Sequence, residues 1–291
     1  MLKLIEFINN KVNRKGVCLL MKNLKLKNGS EIPALGLGTS GLKSDQCTET
    51  VKTALELGYR HLDTAAAYGN QTAIARAIKE STIPRQELFI TSKVWWTDLA
   101  YNDFKQAVEK ILSELELDYL DMLLIHWPNS DIPLTETLKA LQEVKAAGQA
   151  KNTGVSNFTI NHLKKALSIA PELITDNQVE FHPTLYQKEL LKFCFKNDII
   201  LTAYSPLARG EALHNSVIKN LADKYDKSPA QLTLKWLLEK DIVVIPKASS
   251  QKHLANNLEV FDWDLPLEAA REMELINNNN RVINPDFAEF N

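Results

Sequence analysis

Eight short apolar runs mark the chain, at 34–39, 61–65, 88–94, 119–126, 152–156, 175–180, 199–204 and 241–246. Each is followed by a stretch whose apolar residues recur with helical spacing. After the first run Val51, Ala54 and Leu55 share one face, with Ser44 as the expected N-cap and Gly58 as the stop. Ala73, Ile74, Ala77 and Ile78 follow the second run, and Phe104, Ala107, Val108, Ile111, Leu112 and Leu115 keep the 3.6 period after the third. Leu138, Leu141 and Val144 come next, then Leu163, Ala166 and Leu167 behind a Thr159 cap, then Leu190, Leu191 and Cys194. Two helices precede the last run, the second carrying Ala230, Leu234, Trp236 and Leu237.

Continuous apolar runs alternating with amphipathic helices suit parallel strands buried on both faces. A single-domain, closed (β/α)8 barrel, the TIM-barrel class, is the expected fold. The rival, a doubly wound open sheet, usually places Gly-x-Gly-x-x-Gly after its first strand, and Gly36-Leu37-Gly38 lacks the third glycine. Ahead of the first run, Leu24 and Leu26 alternate with lysines, and Asn28-Gly29 offers two positive-φ positions for a tight turn. That pattern predicts a β-hairpin closing the bottom of the barrel.

Composition removes several alternatives. A net charge of -2 with both signs interspersed provides no basic face for nucleic acid and no block of charge for an anionic membrane. No stretch approaches the roughly 18 apolar residues of a membrane span. Cys18, Cys47 and Cys194 are scattered and odd in number, a pattern that favours a reducing cytoplasm over a disulfide framework. The six histidines form no i, i+4 pair and neighbour no cysteine cluster, so no metal site is expected. Residues 1–20 are polar and basic, with the short Val17-Cys18-Leu19-Leu20 stretch too brief for a secretory core. They are expected to be a disordered extension to a barrel spanning 21–291, and Met21 offers an alternative start.

In a barrel the C-terminal ends of the strands meet at one mouth. Those ends carry Asp63 with Tyr68 five residues beyond, then Lys93, His126, Ser156-Asn157, Gln178, Tyr204 and Lys247. Singly, each has a structural explanation: a solvated strand end, a core histidine, a loop polar. Together on one rim they point to a site. A tyrosine near its reference pKa of about 10 gives up its proton reluctantly, and a neighbouring ammonium can lower that value by about 1 to 3 pH units. Lys93 is placed to do this for Tyr68, Asp63 to keep Lys93 charged, and His126 to orient a carbonyl and share its developing negative charge. Such a set suits carbonyl reduction if a hydride is supplied, which implies a nicotinamide. Tyr204 has a face to stack on the ring, and Ser156, Asn157 and Gln178 have groups to fix its carboxamide.

These residues resemble the aldo-keto reductase family from about Lys22 to the C-terminus. The matching motifs are Gly36-Leu-Gly-Thr39, Leu55-Glu-Leu-Gly-Tyr-Arg-His-Leu-Asp-Thr-Ala65, Ala67-Tyr-Gly-Asn70, Thr91-Ser-Lys-Val-Trp95, Leu124-Ile-His-Trp-Pro128, Gly154-Val-Ser-Asn-Phe158, Asn177-Gln178, Ala203-Tyr-Ser-Pro-Leu207 and Ile245-Pro-Lys247. The resemblance implies a catalytic tetrad of Asp63, Tyr68, Lys93 and His126 with Tyr68 as acid, and a substrate pocket built on Tyr68, Trp95 and His126. It implies cofactor contacts at Gly38, Thr39, Asp63, Ser156, Asn157, Gln178, Tyr204, Ser205, Leu207, Lys247, Ser249, His253, Asn256 and Asn257. The short tail, with Asn279-Asn-Arg-Val-Ile-Asn-Pro285 and no long substrate loop, is similar to the bacterial 2,5-diketogluconate and methylglyoxal reductase branch. The implied activity is NADPH-dependent reduction of small carbonyl compounds by a monomer or weak dimer.

Departures concern the cofactor and the pocket. Lys247 stands where the family grips the 2′-phosphate, but Ala248 replaces the usual serine, His253 the usual arginine, and Asn256-Asn257 the usual Glu-Asn pair. Ser249, Ser250 or Lys252 can add to the phosphate grip, so NADPH is expected over NADH by a smaller margin than the family norm. Gln71 replaces a frequent glutamate, with no consequence expected for the tetrad. Ser40 replaces a frequent aromatic, leaving Trp95 as the main aromatic to confine substrate. The family also contains cofactor-binding channel subunits and lens proteins, so a non-catalytic NADP-binding partner is the alternative reading. The absence of a long docking segment weighs against it.

Overall fold

The computed structural model describes residues 22–290. The expectations for residues 1–20, including Cys18, lie outside that range. An antiparallel hairpin, β1 (Asn23–Lys25) and β2 (Glu31–Pro33), leads. Eight strands follow in one parallel sheet in sequential order: β3 (Leu37–Gly38), β4 (His61–Asp63), β5 (Phe89–Val94), β6 (Leu120–Ile125), β7 (Ala150–Ser156), β8 (Asp176–Glu180), β9 (Ile200–Tyr204) and β10 (Val243–Val244). The sheet closes on itself through a parallel bridge between Leu35 and Val244. There Gly36 N–H donates to the Val244 carbonyl and Val244 N–H to that of Ala34, both at 2.8 Å. Closure decides for the barrel against the open sheet. Gly38 belongs to this seam: a Cβ there would lie 2.5 Å from the Ile245 carbonyl oxygen, so any side chain would force the strands apart.

The helices are α1 (Ser44–Leu57), α2 (Gln71–Glu80), α3 (Tyr101–Leu115), α4 (Leu134–Ala146), α5 (Ile160–Ile169), α6 (Lys188–Lys196), α7 (Ser216–Lys224), α8 (Pro229–Leu238), α9 (Gln251–Leu258) and α10 (Leu267–Leu275). Most bury one stripe, as the periodicity requires; in α3 it is Phe104, Val108, Ile111, Leu112 and Leu115. Gly58, at φ 109°, ends α1 by donating to the carbonyls of Ala54 and Leu55. Thr159 caps α5 in a reciprocal box with His162. Ser44 departs from expectation. It is the first residue of α1, at φ 44°, and Lys43 occupies the cap position without a side-chain bond.

The hairpin turn also departs. Only Gly29 has a positive φ, at 85°, with its N–H donating to Leu26 C=O at 2.8 Å. A turn closed by one left-handed glycine in this way needs no second such residue. Asn28 and Ser30 instead donate to the Asn152 side-chain oxygen at 2.7 and 2.8 Å. Asn152 in turn donates to the Asp121 carbonyl at 2.9 Å. Asn152 and Asp121 stand near the starts of β7 and β6, so the hairpin covers the N-terminal end of the barrel and the opposite rim stays open.

Candidate active site

β4 ends at Asp63, and Ala66–Tyr68 form a single 3-10 turn that Gly69 closes at φ 62°. Tyr68 therefore projects from a fixed turn rather than an open loop. Buried Asn70 staples it in place. Its amide donates to the carbonyls of Thr39 and Leu42 at 2.9 and 3.1 Å, and its oxygen accepts from Thr64 Oγ1 at 2.9 Å. Gln71 bridges Ser92 Oγ on β5 and Glu114 on α3 at 2.7 and 2.8 Å, which keeps it out of the site.

Lys93 is wholly buried on β5, and its Nζ donates to Asp63 Oδ1 and to the Thr64 carbonyl, each at 2.7 Å. Gln178 Nε2, from β8, donates to the other Asp63 oxygen at 2.7 Å. A buried ion pair persists only when its lone pairs and protons find partners, and here three strands supply them. The same ammonium lies 5.1 Å from the Tyr68 ring centroid. His126, just past the end of β6, meets Tyr68 edge-on at 5.7 Å and Trp95 at 5.1 Å between ring centroids. The four residues of the expected tetrad thus share one floor.

Burial alone would discharge Lys93, but the Asp63 carboxylate and Tyr68 raise its pKa above the ordinary value. For Tyr68 the balance runs against the sequence expectation. Burial raises the phenol above 10 and outweighs the opposing pull of the Lys93 ammonium and the Ser40 hydroxyl. Lys93 limits a rise; it does not produce a net fall. Burial, then Lys93, hold His126 well below 6.5, so the ring is neutral. Its Nδ1 is sealed from solvent without a partner, which leaves the Nε2 edge to the cleft. A phenol O–H and an imidazole N–H beside a buried cation can together hold a carbonyl oxygen as negative charge grows on it.

This floor opens into a cleft of about 1030 Å³ that also takes in Gly38, Asn157, Tyr204, Ser205, Leu207, Lys247 and His253. The Tyr204 hydroxyl donates to Asn157 Oδ1 at 2.8 Å, fixing the ring at the wall. Asn157 Nδ2 donates to the His126 carbonyl at 2.9 Å and to Ser156 Oγ at 3.1 Å. The amide nitrogens of Asn157 and Gln178, expected to meet a carboxamide, are therefore engaged within the protein. Lys247 is exposed, its Nζ reaching over Gly41, and Ser250 caps α9 by accepting from His253 N–H at 3.2 Å.

Five expected contacts stand outside the cleft lining. Thr39 is buried and donates from its hydroxyl to the Asp63 carbonyl at 2.9 Å; Ser156 is buried and donates to the Gln178 carbonyl at 2.8 Å. Ser249 is exposed, Asn256 half-buried and Asn257 buried on α9. Thr39 and Ser156 thus tie neighbouring strands together beneath the lining residues.

The aromatic wall is larger than the sequence suggested. Trp127 and Phe287 line the cleft beside Trp95. Phe287 stacks on Trp96 at 4.7 Å and 12° and meets Trp95 and Trp127 edge-on, each at 5.5 Å. Trp127 was available to inspection, since it follows His126 directly. Phe287 was not, because it lies on an irregular tail with no periodic signal. That tail, short as it is, crosses the mouth: Val282, Ile283, Asn284 and Pro285 line the cleft as well. Among the described residues no group of three His, Cys, Asp or Glu is placed to hold a metal ion, and no helix is long and apolar enough to cross a membrane.

Known proteins resemble this chain over most of its length. The glyoxal reductase of Bacillus subtilis (strain 168) is 43 % identical over 269 residues, covering 92 % of this chain and 97 % of the relative. The methylglyoxal reductase DkgB of Escherichia coli O157:H7 is 38 % identical over 258 residues, covering 88 % and 97 %. The crystal structure of MGS-M4, an aldo-keto reductase enzyme from a Medee basin deep-sea metagenome library, superposes with a TM-score of 0.88 at 39 % identity, over 92 % of this chain and 99 % of that one. The model of the Aldo/keto reductase family matches residues 34–278, and the chain belongs to that family.

Proposed function

We propose that this protein is a cytoplasmic NADPH-dependent reductase of small aldehydes and ketones, with 2-oxoaldehydes such as methylglyoxal and keto sugars such as 2,5-diketogluconate as its substrate class. The observation that carries the reading is the buried Lys93–Asp63 pair, at 2.7 Å, beneath Tyr68 and His126 at the floor of a deep cleft. The names of the relatives support the same class of carbonyl substrate.

A bound nicotinamide would supply the hydride, which no side chain provides. The lining fits such a group: Tyr204 offers an aromatic face, Lys247 offers an ammonium, and His253 adds a ring at the start of α9. Tyr68 donates a proton to the carbonyl oxygen. Its raised pKa keeps that proton in place until charge develops, and Lys93 then stabilises the phenolate left behind. Neutral His126 orients the carbonyl through its Nε2 edge. Asp63, held by Gln178, keeps Lys93 charged and positioned. Trp95, Trp127 and Phe287 exclude water and confine a small substrate.

The test follows loss of NADPH absorbance with methylglyoxal and glyoxal, and compares kcat/KM for NADPH and NADH. Tyr68→Phe removes the proton donor while keeping the ring, so turnover should fall by roughly 1000-fold or more with NADPH affinity held within about twofold. Retained turnover in that variant rejects the assignment of Tyr68, and equal use of NADH rejects the cofactor preference.

A further inference from the structure

The tail that crosses the mouth is held by groups that the reaction does not use. Glu180, the last residue of β8, has no exposed surface. Its Oε1 accepts from Val282 N–H at 2.7 Å and its Oε2 from Ile283 N–H at 2.8 Å, from residues more than 100 positions further along the chain. His182, also wholly buried, approaches Oε1 through Nε2 at 3.0 Å and meets Thr184 Oγ1 through Nδ1 at 2.9 Å. The Thr184 carbonyl then accepts from the N–H groups of Asn278 and Asn280 at 3.3 and 3.0 Å, and Tyr186 N–H donates to Asn277 Oδ1 at 2.9 Å.

A carboxylate with no access to water is tolerated only when its oxygens are engaged. Here the engaging donors are backbone N–H groups of an irregular segment that has no strand or helix ladder of its own. At the other end Glu289 accepts from Ser130 N–H at 2.9 Å and faces His162 Nε2 at 3.3 Å. Between these two carboxylate anchors hang Asn284, Pro285 and Phe287, which line the same cleft as Tyr68 and His126.

We propose that Glu180, oriented by His182, is a positioning residue that latches the C-terminal strap over the carbonyl end of the cleft and so sets how tightly the substrate is held. The inference rests on the reductase reading above. Loss of the latch lowers the fraction of molecules with Phe287 seated among Trp95, Trp96 and Trp127. Apparent substrate affinity falls in proportion to that fraction. The Asp63–Lys93 pair is anchored on β4, β5 and β8 and does not depend on the strap.

Hydrogen exchange of the intact protein, without cofactor, reads the latch directly. The amides of Val282 and Ile283 should be protected in the unaltered chain, and exchange as fast as in an unstructured peptide overturns the proposal before any variant is made. Glu180→Gln turns one acceptor into an N–H donor facing N–H groups. It should speed exchange at those two amides by roughly tenfold or more and red-shift tryptophan emission, since three of the five tryptophans surround Phe287. In turnover it should raise KM for methylglyoxal roughly tenfold, with kcat and NADPH affinity held within about twofold. Phe287→Ala should show the same split, and Glu180→Gln in that background should add little further. Additive effects, a fall in kcat with unchanged KM, or an unchanged KM in Phe287→Ala overturn the latch. A wild-type chain inactive on every carbonyl tested overturns the reductase reading instead, while exchange and emission still report on the strap.

Discussion

The buried pair at the floor of the cleft gives the sharpest separation of stability from chemistry. Lys93 Nζ and Asp63 Oδ1 are 2.7 Å apart with essentially no exposure on either side. At an effective dielectric of about 20 their attraction is about 6 kcal/mol, much of it offset by the cost of taking both charges out of water. Lys93→Met removes one charge, strands the Asp63 carboxylate with only the Gln178 donor at 2.7 Å, and leaves the Thr64 carbonyl without its Lys93 donor. The expected loss is about 3–5 kcal/mol, which for a chain of this size is a fall of roughly 10 °C in Tm. Asp63→Asn strands the ammonium instead and should cost a similar amount. The double variant Lys93→Met with Asp63→Asn leaves no unpaired charge, and the amide oxygen introduced on β4 would still accept from Gln178. Its stability should therefore return to within about 1–2 kcal/mol of the wild type. Activity should not return in any of the three: the two variants with Lys93→Met take the cation away from Tyr68, and Asp63→Asn removes the carboxylate that holds the buried ammonium charged and in place. Thermal melts and chemical denaturation at pH 7, with NADPH turnover measured on each folded variant, provide the readout. A double variant as unstable as the sum of the single changes would refute the reasoning, as would Lys93→Met with an unchanged Tm.

Two further expectations concern groups at either end of the barrel interior. Lys247→Met should lower kcat/KM with NADPH by roughly 10- to 100-fold while leaving NADH almost unaffected, since a hydrogen bond to a charged group contributes about 1.5–3 kcal/mol; parallel losses with both cofactors would show that Lys247 does not select the phosphate. Asp176 is buried on β8, accepts from Thr202 Oγ1 at 2.7 Å, and is pushed by burial from 3.8 up to about 8. Its folded pKa is raised, so the folded state holds a proton that the unfolded state releases, and stability from this group falls as pH rises from about 4 to about 8. Asp176→Asn keeps the acceptor and abolishes that slope. Its advantage over wild type in denaturant midpoint should be near zero at pH 4 and grow towards pH 8, with an upper bound of about 6 kcal/mol, and a constant offset across that range would contradict the assignment.

What could be read from the residues, and what could not, divides along physical lines. Parallel strands buried on both faces must be apolar end to end, so the runs at 88–94 and 119–126 announced β5 and β6 with bounds within one or two residues. Barrel topology then brings strand ends together whatever their separation. Asp63, Lys93 and Gln178, from β4, β5 and β8, were thus legible as neighbours without a coordinate. Local choices among equivalent donors were less legible. Ser44, the expected cap, instead begins α1 and leaves Lys43 at the cap position without a side-chain bond, and the Asn28-Gly29 turn uses one positive φ where two were expected.

The direction of the Tyr68 shift failed for a different reason. A neighbouring cation can be inferred from a motif, but the competing cost of burial depends on how completely the surrounding loops close, and that is a property of packing. The strap lay beyond inspection for a third reason. Glu180 grips main-chain N–H groups, which every residue except proline carries, so nothing in the identity of Val282 or Ile283 marks them as its partners. Side chains that meet through strand topology leave a trace in the sequence; a carboxylate that holds bare backbone does not. Contacts of the second kind hold the tail that lines the cleft here, so the four residues on the floor of the cleft carry no trace of how that wall is shaped.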